Sequence, residues 1–404
     1  MSIVKHISWS FLGQLAGAGF GFLNFVLLNR NMGKGEFGTW VLIFSSISLL
    51  EMIRTGFSQS AVLKLLGSGL KEPSAIWGSL FSFLLSVNGL VSAVIVLLGI
   101  VAFPFFGLAL SLIFPILLVW WAQGFSYVDQ WYLQDQNNFK HLTFLKVALL
   151  VPFTVYLLIA KSFEVEYVLW AYGVSHLGGW LIFRLVFKGV SFAFFKHSSK
   201  QVKRYFKLFG RFSFGTQLGA NLLRNSDNFL IGAFLGNSWV AAYAIGFKVI
   251  ELAEVPVRAV SLVLQRKWSH LNNSSDIYKS YLKHAGLFTL LGIAPAIVLF
   301  FFREDAVLVL GGEKYLKESL PVLLFILPIL LILPADRLSG VALDMIGKPK
   351  ANMVKVFVML MVNLIGDVIV LHLGWGIMAV AGVSIATFGS GFVYGWLRLK
   401  SLSK

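Results

Sequence analysis

Residues 79–103 read SLFSFLLSVNGLVSAVIVLLGIVAF, a run of 25 residues that contains no Asp, Glu, Lys or Arg. A helix needs roughly 20 consecutive apolar residues to cross the hydrocarbon core of a bilayer. Only helices and closed barrels satisfy their backbone hydrogen bonds in lipid, and this run is too long and too irregular for a barrel strand. It therefore predicts a membrane-spanning helix.

The composition of the whole chain supports the same prediction. The 404 residues are 57% hydrophobic and 13% charged, whereas a soluble domain carries about 25% charged residues. So few charges cannot cover a water-facing surface, and lipid contact must take their place. The sequence contains no cysteine, which excludes disulfides, thiol catalysis and cysteine metal sites. We predict an all-α polytopic membrane protein.

Similar apolar runs recur along the chain and predict about twelve transmembrane helices. The first run, 7–28, is too long for the core of a signal peptide, so we expect it to be retained as a helix. Prolines in two of the runs predict kinks, at Pro115 in one and at Pro321, Pro328 and Pro334 in the other. The predicted spans are 7–28, 37–60, 75–102, 106–127, 140–160, 166–187, 212–235, 239–263, 284–302, 319–341, 352–372 and 375–397.

The distribution of Lys and Arg predicts the orientation. With the N-terminus placed in the cytoplasm, 23 of these residues fall on the cytoplasmic side and 6 on the other side. The positive-inside rule then predicts that both termini are cytoplasmic. The same bias explains the pI of about 9.9 without a nucleic-acid surface, and we expect membrane lipids, not nucleic acid, as partners.

An internal repeat divides the chain. SFLGQL at 10–15 corresponds to SFGTQL at 213–218, and the same offset of 203 residues pairs Gly33 with Gly236 and Glu51 with Glu254. We predict two six-helix bundles in parallel orientation, residues 1–190 and 212–404. The connector 191–211 is basic with interleaved aromatic residues and predicts an amphipathic helix on the cytoplasmic leaflet.

Ionisable residues inside the predicted spans are candidates for function, because each costs about 2.5–3.5 kcal/mol at mid-bilayer. Four basic residues lie in the first two helices of the repeats and predict a cationic cavity for a phosphate or carboxylate group. Carboxylates nearby are candidates for ion or proton coupling. Alternatively, the charges neutralise one another within each helix. Glu51/Arg54, Arg224/Asp227 and Lys248/Glu251 are three residues apart, and Glu254/Arg258 are four apart. The basic candidates are Arg54, Arg224, Arg258 and Lys248, and the acidic ones are Asp227, Glu254 and Glu51.

Uncharged polar residues on the first helix of each repeat favour a hydrophilic passage. They are predicted to line the cavity, although polar side chains also hold transmembrane helices together. These residues are Gln14, Asn24, Gln217 and Asn221.

Several segments resemble one known family, the polysaccharide (O-antigen type) flippases of the multidrug/oligosaccharidyl-lipid/polysaccharide exporter superfamily. The first two are the N-terminal segment of each repeat, and the other three have the character of turns and an outer loop. They are FLGQLAGAGFGFLNFVLLNRNMGKGEFGTW at 11–40, NSDNFLIGAFLGNSWVAAYAIGFKV at 225–249, LQDQNNFKHLTFLKV at 133–147, LDMIGKPKANMVKV at 343–356 and LGGEKYLKES at 310–319.

The resemblance implies a MATE-like, V-shaped pair of six-helix bundles and a transport function without enzymatic activity. The implied cargo is an undecaprenyl-pyrophosphate-linked oligosaccharide, an O-antigen or capsule repeat unit, flipped from the cytoplasmic to the periplasmic leaflet by alternating access. Arg54, Arg224, Arg258 and Lys248 would then contact the pyrophosphate or acidic sugars. The resemblance implies no cofactor beyond coupling to H⁺ or Na⁺, and it implies glycan-assembly partners such as a polymerase.

Two other functions remain open at this stage. An ion-coupled multidrug or cation exporter of the same fold would also carry charges in these helices, and their balance of four acids to four bases does not separate the two functions. A membrane glycan-processing enzyme is disfavoured by the short outer loops and by histidines without metal-ligand spacing. No Gly-rich phosphate loop followed by Lys is present, which argues against an ATP-driven pump.

Overall fold

The structure is a computed structural model that describes residues 3–68, 72–106, 110–136, 138–160, 163–187, 197–268, 271 and 273–403. Within these ranges the chain is helical throughout and contains no strand, which confirms the all-α prediction. The helices are α1 (Ile3–Asn31), α2 (Lys34–Ser68), α3 (Pro73–Phe106), α4 (Ile113–Asp135), α5 (Phe139–Ile159), α6 (Val165–Val186), α7 (Lys200–Leu235), α8 (Asn237–Trp268), α9 (Ser274–Phe301), α10 (Arg303–Gly311), α11 (Leu316–Ile326), α12 (Ile329–Met345), α13 (Pro349–His372) and α14 (Gly376–Leu402).

The predicted spans correspond to these helices. Within the described ranges, eight helices are long and apolar enough to cross a membrane, and α11 with α12 forms a ninth span bent by 52°. Of the remaining four, α6, α7 and α8 are of similar length but less apolar by this criterion, and α10 has only nine residues. Large apolar side chains point outward, including Leu185, Ile159 and Phe301, as expected of a surface that contacts lipid. The chain is therefore a multi-pass membrane protein.

Glycine and proline set the breaks between helices. Gly236 joins α7 to α8 with a φ of 95°, a left-handed conformation that other residues adopt at a cost. The predicted kink in 319–341 is confirmed, because α11 ends just before Pro328 and α12 continues at an angle. By contrast, Pro115 lies in the first turn of α4, where proline is tolerated.

The helices divide into two compact units. Unit 1 comprises Met1–Met32 and Ser46–Gln217, and unit 2 comprises Gly33–Ser45 and Leu218–Lys404. Consequently, α2 and α7 each contribute residues to both units. The predicted bundle limits, 1–190 and 212–404, stay a prediction, as does the surface helix at 191–211. Residues 188–196 of that connector lie outside the described residues, and 200–211 form the start of α7.

Each unit has an aromatic-rich core. In unit 1, Trp77, Trp120 and Trp131 pack with Phe206, a residue from the first turns of α7. In unit 2, the core includes Trp268 and Tyr281, packed against α12 and α14. These cores fix the helices that carry the charged side chains described next.

Candidate functional site

A row of charges joins α7 and α8 in unit 2. The Arg224 Nη2 atom lies 3.1 Å from Glu251 Oε1, and Lys248 Nζ lies 2.8 Å from the other carboxylate oxygen. Glu251 is thus shared by two cations. The Arg224 side chain is 47% exposed, so its guanidinium retains room for another anion. We call Arg224, Lys248 and Glu251 the charge row.

A second, looser pair lies further along α8. Glu254 approaches Arg337 of α12, with 4.0 Å between Oε2 and Nη1, and the Arg337 side chain is 39% exposed. The sequence spacing had suggested Arg258 as the neighbour of Glu254, but the Arg258 side chain lies outside the described residues. Arg337 was not among the predicted cationic candidates, because nothing in its local sequence shows that α12 lies beside α8.

Asp227 lies in the interior of unit 2. Its Oδ1 accepts a hydrogen bond of 2.9 Å from Asn363 Nδ2, and its Oδ2 accepts hydrogen bonds from the Tyr243 hydroxyl and, at 3.3 Å, from Ser384. Asp227 is buried. Helical spacing had offered Arg224 as its ion-pair partner, yet Arg224 pairs across helices with Glu251.

A second buried carboxylate lies beside Asp227. Asp367 is completely buried on α13, one helical turn beyond Asn363, and its charge interacts with that of Asp227. Neither Asp367 oxygen accepts a hydrogen bond from an amide, hydroxyl or amine group, so a hydrogen bond between Asp367 and Asp227 requires a proton on one of the two carboxyl groups. The Oγ1 atom of Thr387 on α14 has no hydrogen-bond partner either. Two buried carboxylates of like charge are costly unless a proton or a cation joins them. We call Asp227, Asp367, Asn363, Ser384 and Tyr243 the carboxylate site.

The polar side-chain atoms of the carboxylate site are all oxygens apart from the Asn363 amide nitrogen. Oxygen donors suit hard cations such as alkali and alkaline-earth ions, whereas nitrogen and sulfur donors suit transition metals. Among the described residues, no group of three or more His, Asp and Glu side chains is arranged to hold a metal ion. Two carboxylates with neutral oxygens therefore fit a proton or a single small cation best.

Arg54 in unit 1 lies in a different environment from Arg224. It is fully buried, with its guanidinium 3.6 Å from the centroid of the Trp120 ring, and its Nη1 donates to the Trp120 carbonyl at 2.8 Å. Glu51 lies 3.5 Å from Nη2, and its other oxygen accepts a 3.1 Å hydrogen bond from Tyr127. Gly124 lies against the guanidinium, where a Cβ would collide with it. Glu51 is the more accessible member of the pair.

The predicted polar lining has varied surroundings. Gln14 is exposed, whereas Asn24 is buried and accepts a 2.7 Å hydrogen bond from Thr154. The Gln217 side chain accepts one from Thr55 at 3.2 Å. Asn221 is partly buried, and its backbone carbonyl accepts a hydrogen bond from the Asn225 side chain. Asn24 and Gln217 thus link helices within unit 1, and their lining of a passage stays a prediction.

Two buried ion pairs were not anticipated. Asp129 is fully buried, forms an ion pair with Arg184 (2.9 Å between Nε and Oδ2) and accepts a hydrogen bond of 2.8 Å from the Trp180 indole. Lys355 and Asp336 form the other pair, at 2.8 Å in unit 2. The local sequence gives no reason to join Arg184 to Asp129 or Lys355 to Asp336, because the two residues of each pair lie on different helices.

Comparison with known families gives two matches. A profile of the family described as "polysaccharide biosynthesis protein" matches residues 3–264, and a profile of the MatE family matches residues 213–369. No curated protein matches the chain.

Solved structures of similar fold extend over the whole chain. An inward-facing multidrug resistance MATE family transporter of the MOP superfamily has a TM-score of 0.80 and 15% identity, covering 100% of this chain and 96% of its own. The lipid II flippase MurJ, in an inward closed conformation, has a TM-score of 0.74 and 14% identity, covering 98% of this chain and 87% of its own. A MOP superfamily transporter from Pyrococcus furiosus has a TM-score of 0.68 and 13% identity, covering 100% of this chain and 96% of its own.

At these identities the structures establish a common fold, and the family match carries the assignment. The profile over 3–264 covers more than half of the chain. The protein therefore belongs to the polysaccharide biosynthesis protein family, and it shares its fold with the MATE transporter and the MurJ flippase.

Proposed function

We propose that this protein flips an undecaprenyl-pyrophosphate-linked oligosaccharide, such as an O-antigen or capsule repeat unit, from the cytoplasmic to the periplasmic leaflet by alternating access. The observation that supports this cargo is the charge row. Arg224 is a half-exposed arginine on a membrane helix, and its guanidinium can bind a phosphate bidentately. Glu251 orients the guanidinium and is itself held by Lys248.

The charge row also suits release of the cargo. Glu251 and a phosphate compete for the same guanidinium. Binding of the phosphate therefore breaks the existing Arg224–Glu251 ion pair, at a cost in free energy that an unpaired arginine would not impose. The binding free energy is thereby reduced, as a carrier that must unload its cargo requires. Arg337, with its distant partner Glu254, is a second candidate for the anionic headgroup.

We further propose that the carboxylate site couples transport to H⁺ or Na⁺. Asp227 was a candidate from the sequence, and Asp367 provides the second charge. A cation or proton between the two carboxylates relieves their repulsion and draws α7 and α13 together. Glu254 and Glu51 are alternative coupling groups, although each lies beside an arginine.

The proposed setting is the bacterial inner membrane, with both termini in the cytoplasm, as the Lys/Arg distribution predicts. Cargo delivered to the periplasmic leaflet must next be polymerised or transferred. We therefore expect the protein to work beside other glycan-assembly proteins, such as a polymerase.

The main rival is an ion-coupled multidrug or cation exporter of the same fold. The match of residues 213–369 to the MatE family supports it. Deletion of the gene separates the two functions. A flippase deletion should abolish surface glycan and leave drug susceptibility unchanged, whereas an exporter deletion should raise drug susceptibility with normal glycan. The second outcome would overturn the proposal.

A further inference from the structure

Unit 1 contains a group of polar side chains that belong to neither the charge row nor the carboxylate site. Two lie on α2, two lie four residues apart on one face of α4, and one lies on α6. We call them the unit 1 polar cluster: Glu51, Arg54, Gln123, Tyr127 and Tyr172. Tyr127 donates a 3.1 Å hydrogen bond to Glu51 Oε2, and the Tyr172 side chain is hydrogen-bonded to Gln123.

The unit 1 polar cluster is accessible from one side. The Glu51 side chain is 20% exposed, whereas Arg54 is completely buried. Gln123, Tyr127 and Tyr172 are partly exposed. A carboxylate in contact with lipid acyl chains is costly, and ionisable groups within a membrane usually face a polar space. We therefore expect the exposed side of the cluster to face water or cargo.

The cluster has more hydrogen-bond acceptors than donors. Gln123 Oε1 is a buried atom without a hydrogen-bond partner. An ionised carboxylate has about four lone-pair sites, of which Tyr127 uses one on Glu51 Oε2. A buried acceptor without a donor costs free energy and calls for an explanation. A ligand that brings its own O–H or N–H donors would satisfy both side chains.

The charges of the cluster favour a neutral ligand. Arg54 Nη2 lies 3.5 Å from Glu51 Oε1, so the two charges offset each other. A cationic ligand at Glu51 would be repelled by the guanidinium. An anionic ligand would meet the partly exposed carboxylate, because Arg54 is fully buried with its guanidinium 3.6 Å from the centroid of the Trp120 ring. A ligand with several hydroxyl groups and no charge avoids both repulsions.

We propose that Glu51, Gln123, Tyr127 and Tyr172 bind one uncharged, hydroxyl-rich sugar residue of the cargo. The Glu51 carboxylate and Gln123 Oε1 accept hydrogen bonds from its hydroxyl groups, and the tyrosine rings offer apolar faces to its C–H groups. Arg54 is a positioning residue that holds Glu51. This inference rests on the proposed function and deepens it, because it assigns sugar recognition to unit 1, whereas the pyrophosphate is assigned to the charge row of unit 2.

A binding experiment with two lipids tests this assignment. The probes are undecaprenyl pyrophosphate and the lipid-linked oligosaccharide extracted from cells that lack this protein. We expect the wild type to bind the oligosaccharide-bearing lipid more tightly. Gln123→Leu should lower the affinity for that lipid about tenfold, because one hydrogen bond to the sugar is lost. Its affinity for undecaprenyl pyrophosphate should not change.

The matched control is Gln130→Leu. Gln130 lies two turns further along α4 and outside the cluster, where its Nε2 donates to Ser126 Oγ at 3.4 Å. This variant should keep the wild-type affinity for both lipids. An unchanged affinity of Gln123→Leu for the oligosaccharide-bearing lipid would overturn the assignment, and so would an equal loss in Gln130→Leu.

Thermal unfolding without ligand separates sugar binding from a structural role of Gln123. Gln123→Leu should unfold at the wild-type temperature or above it, because it removes an acceptor that has no donor. A lower unfolding temperature, together with an equal loss of affinity for both lipids, would identify Gln123 as structural and overturn the assignment. The proposed function fails separately, since in that case the wild type itself would bind neither lipid.

Discussion

Asn363 donates a 2.9 Å hydrogen bond from Nδ2 to Asp227 Oδ1, while its own Oδ1 accepts one of 2.6 Å from Ser226. Both ends of the amide are therefore occupied, and its orientation is fixed. Asp367 follows Asn363 by one turn of α13, so the two residues lie on the same face of the helix. The hydrogen bond from Asn363 to Asp227 therefore also keeps Asp367 beside Asp227.

The first prediction concerns the charge of Asp367. Asp367→Asn should stabilise the protein at alkaline pH in the absence of Na⁺, because loss of the proton from the wild-type pair leaves a buried like-charge repulsion that the variant lacks. The same variant should lose any stabilisation that Na⁺ or acid gives to the wild type. Thermal unfolding in detergent, with and without Na⁺ and at two pH values, measures both effects. An unchanged response to both cations in the variant would exclude Asp367 as the coupling group.

Loss of the orienting amide gives a second prediction. Groups that orient the ligands of a metal ion typically contribute about 10–100-fold to affinity. Asn363→Ala should therefore raise the cation concentration required for half-maximal transport by a factor in that range. The readout is the concentration of the coupling cation at half-maximal transport. Asn352→Ala is the control on the same helix, since Asn352 bonds Asp344 near the helix start. Equal half-maximal concentrations in the two variants would show that Asn363 orients nothing.

The third prediction separates the two arginines. Arg224→Ala should abolish glycan display while the protein still inserts and unfolds at its usual temperature, because Arg224 is half exposed. Arg224→Lys should restore only part of the activity, since an ammonium cannot bind phosphate bidentately. Normal glycan display by Arg224→Ala would remove the anion-binding role.

Arg54→Ala should behave in the opposite way. It removes the stacking on Trp120 and leaves Glu51 without its cation, which should cost about 3 kcal/mol of stability, as for other broken buried pairs. The measurement is thermal unfolding, with Arg398→Ala as an exposed control. A variant that unfolds like the wild type but fails in transport would instead identify Arg54 as a cargo contact.

Two glycines of α14 give a matched pair for the packing of unit 2. A Cβ at Gly391 would collide with Asp336 Oδ1 and Met359 Sδ, whereas one at Gly382 meets nothing within 4 Å. Gly391→Ala should therefore destabilise the protein, and Gly382→Ala should stabilise it by up to about 1 kcal/mol through helix propensity. Equal unfolding temperatures for the two variants would contradict the described contact between α12 and α14.

Much of the fold could be predicted because lipid leaves few alternatives. An uncharged run such as 79–103 has to form a helix in a membrane, and Gly236 and Pro73 indicate where helices end or begin. The assignment of 34–45 to unit 2 could not be predicted. It depends on contacts such as Lys34–Glu318, between residues 284 positions apart, that leave no local pattern.

The site was predictable only within single helices. Spacing of three residues correctly predicted the pairs Lys248–Glu251 and Glu51–Arg54. Spacing cannot show which helix faces a side chain, so it gave no reason to join Arg224 to Glu251 or Asp129 to Arg184. For the same reason the sequence treated Arg54 and Arg224 alike, although one is buried and the other half exposed.

The most direct test of the proposed flippase locates its cargo. In cells that lack this protein, lipid-linked oligosaccharide should accumulate on the cytoplasmic leaflet, and re-expression of the wild type, but not of Arg224→Ala, should return it to the periplasmic leaflet. A leaflet distribution that is the same with and without the protein would contradict the account.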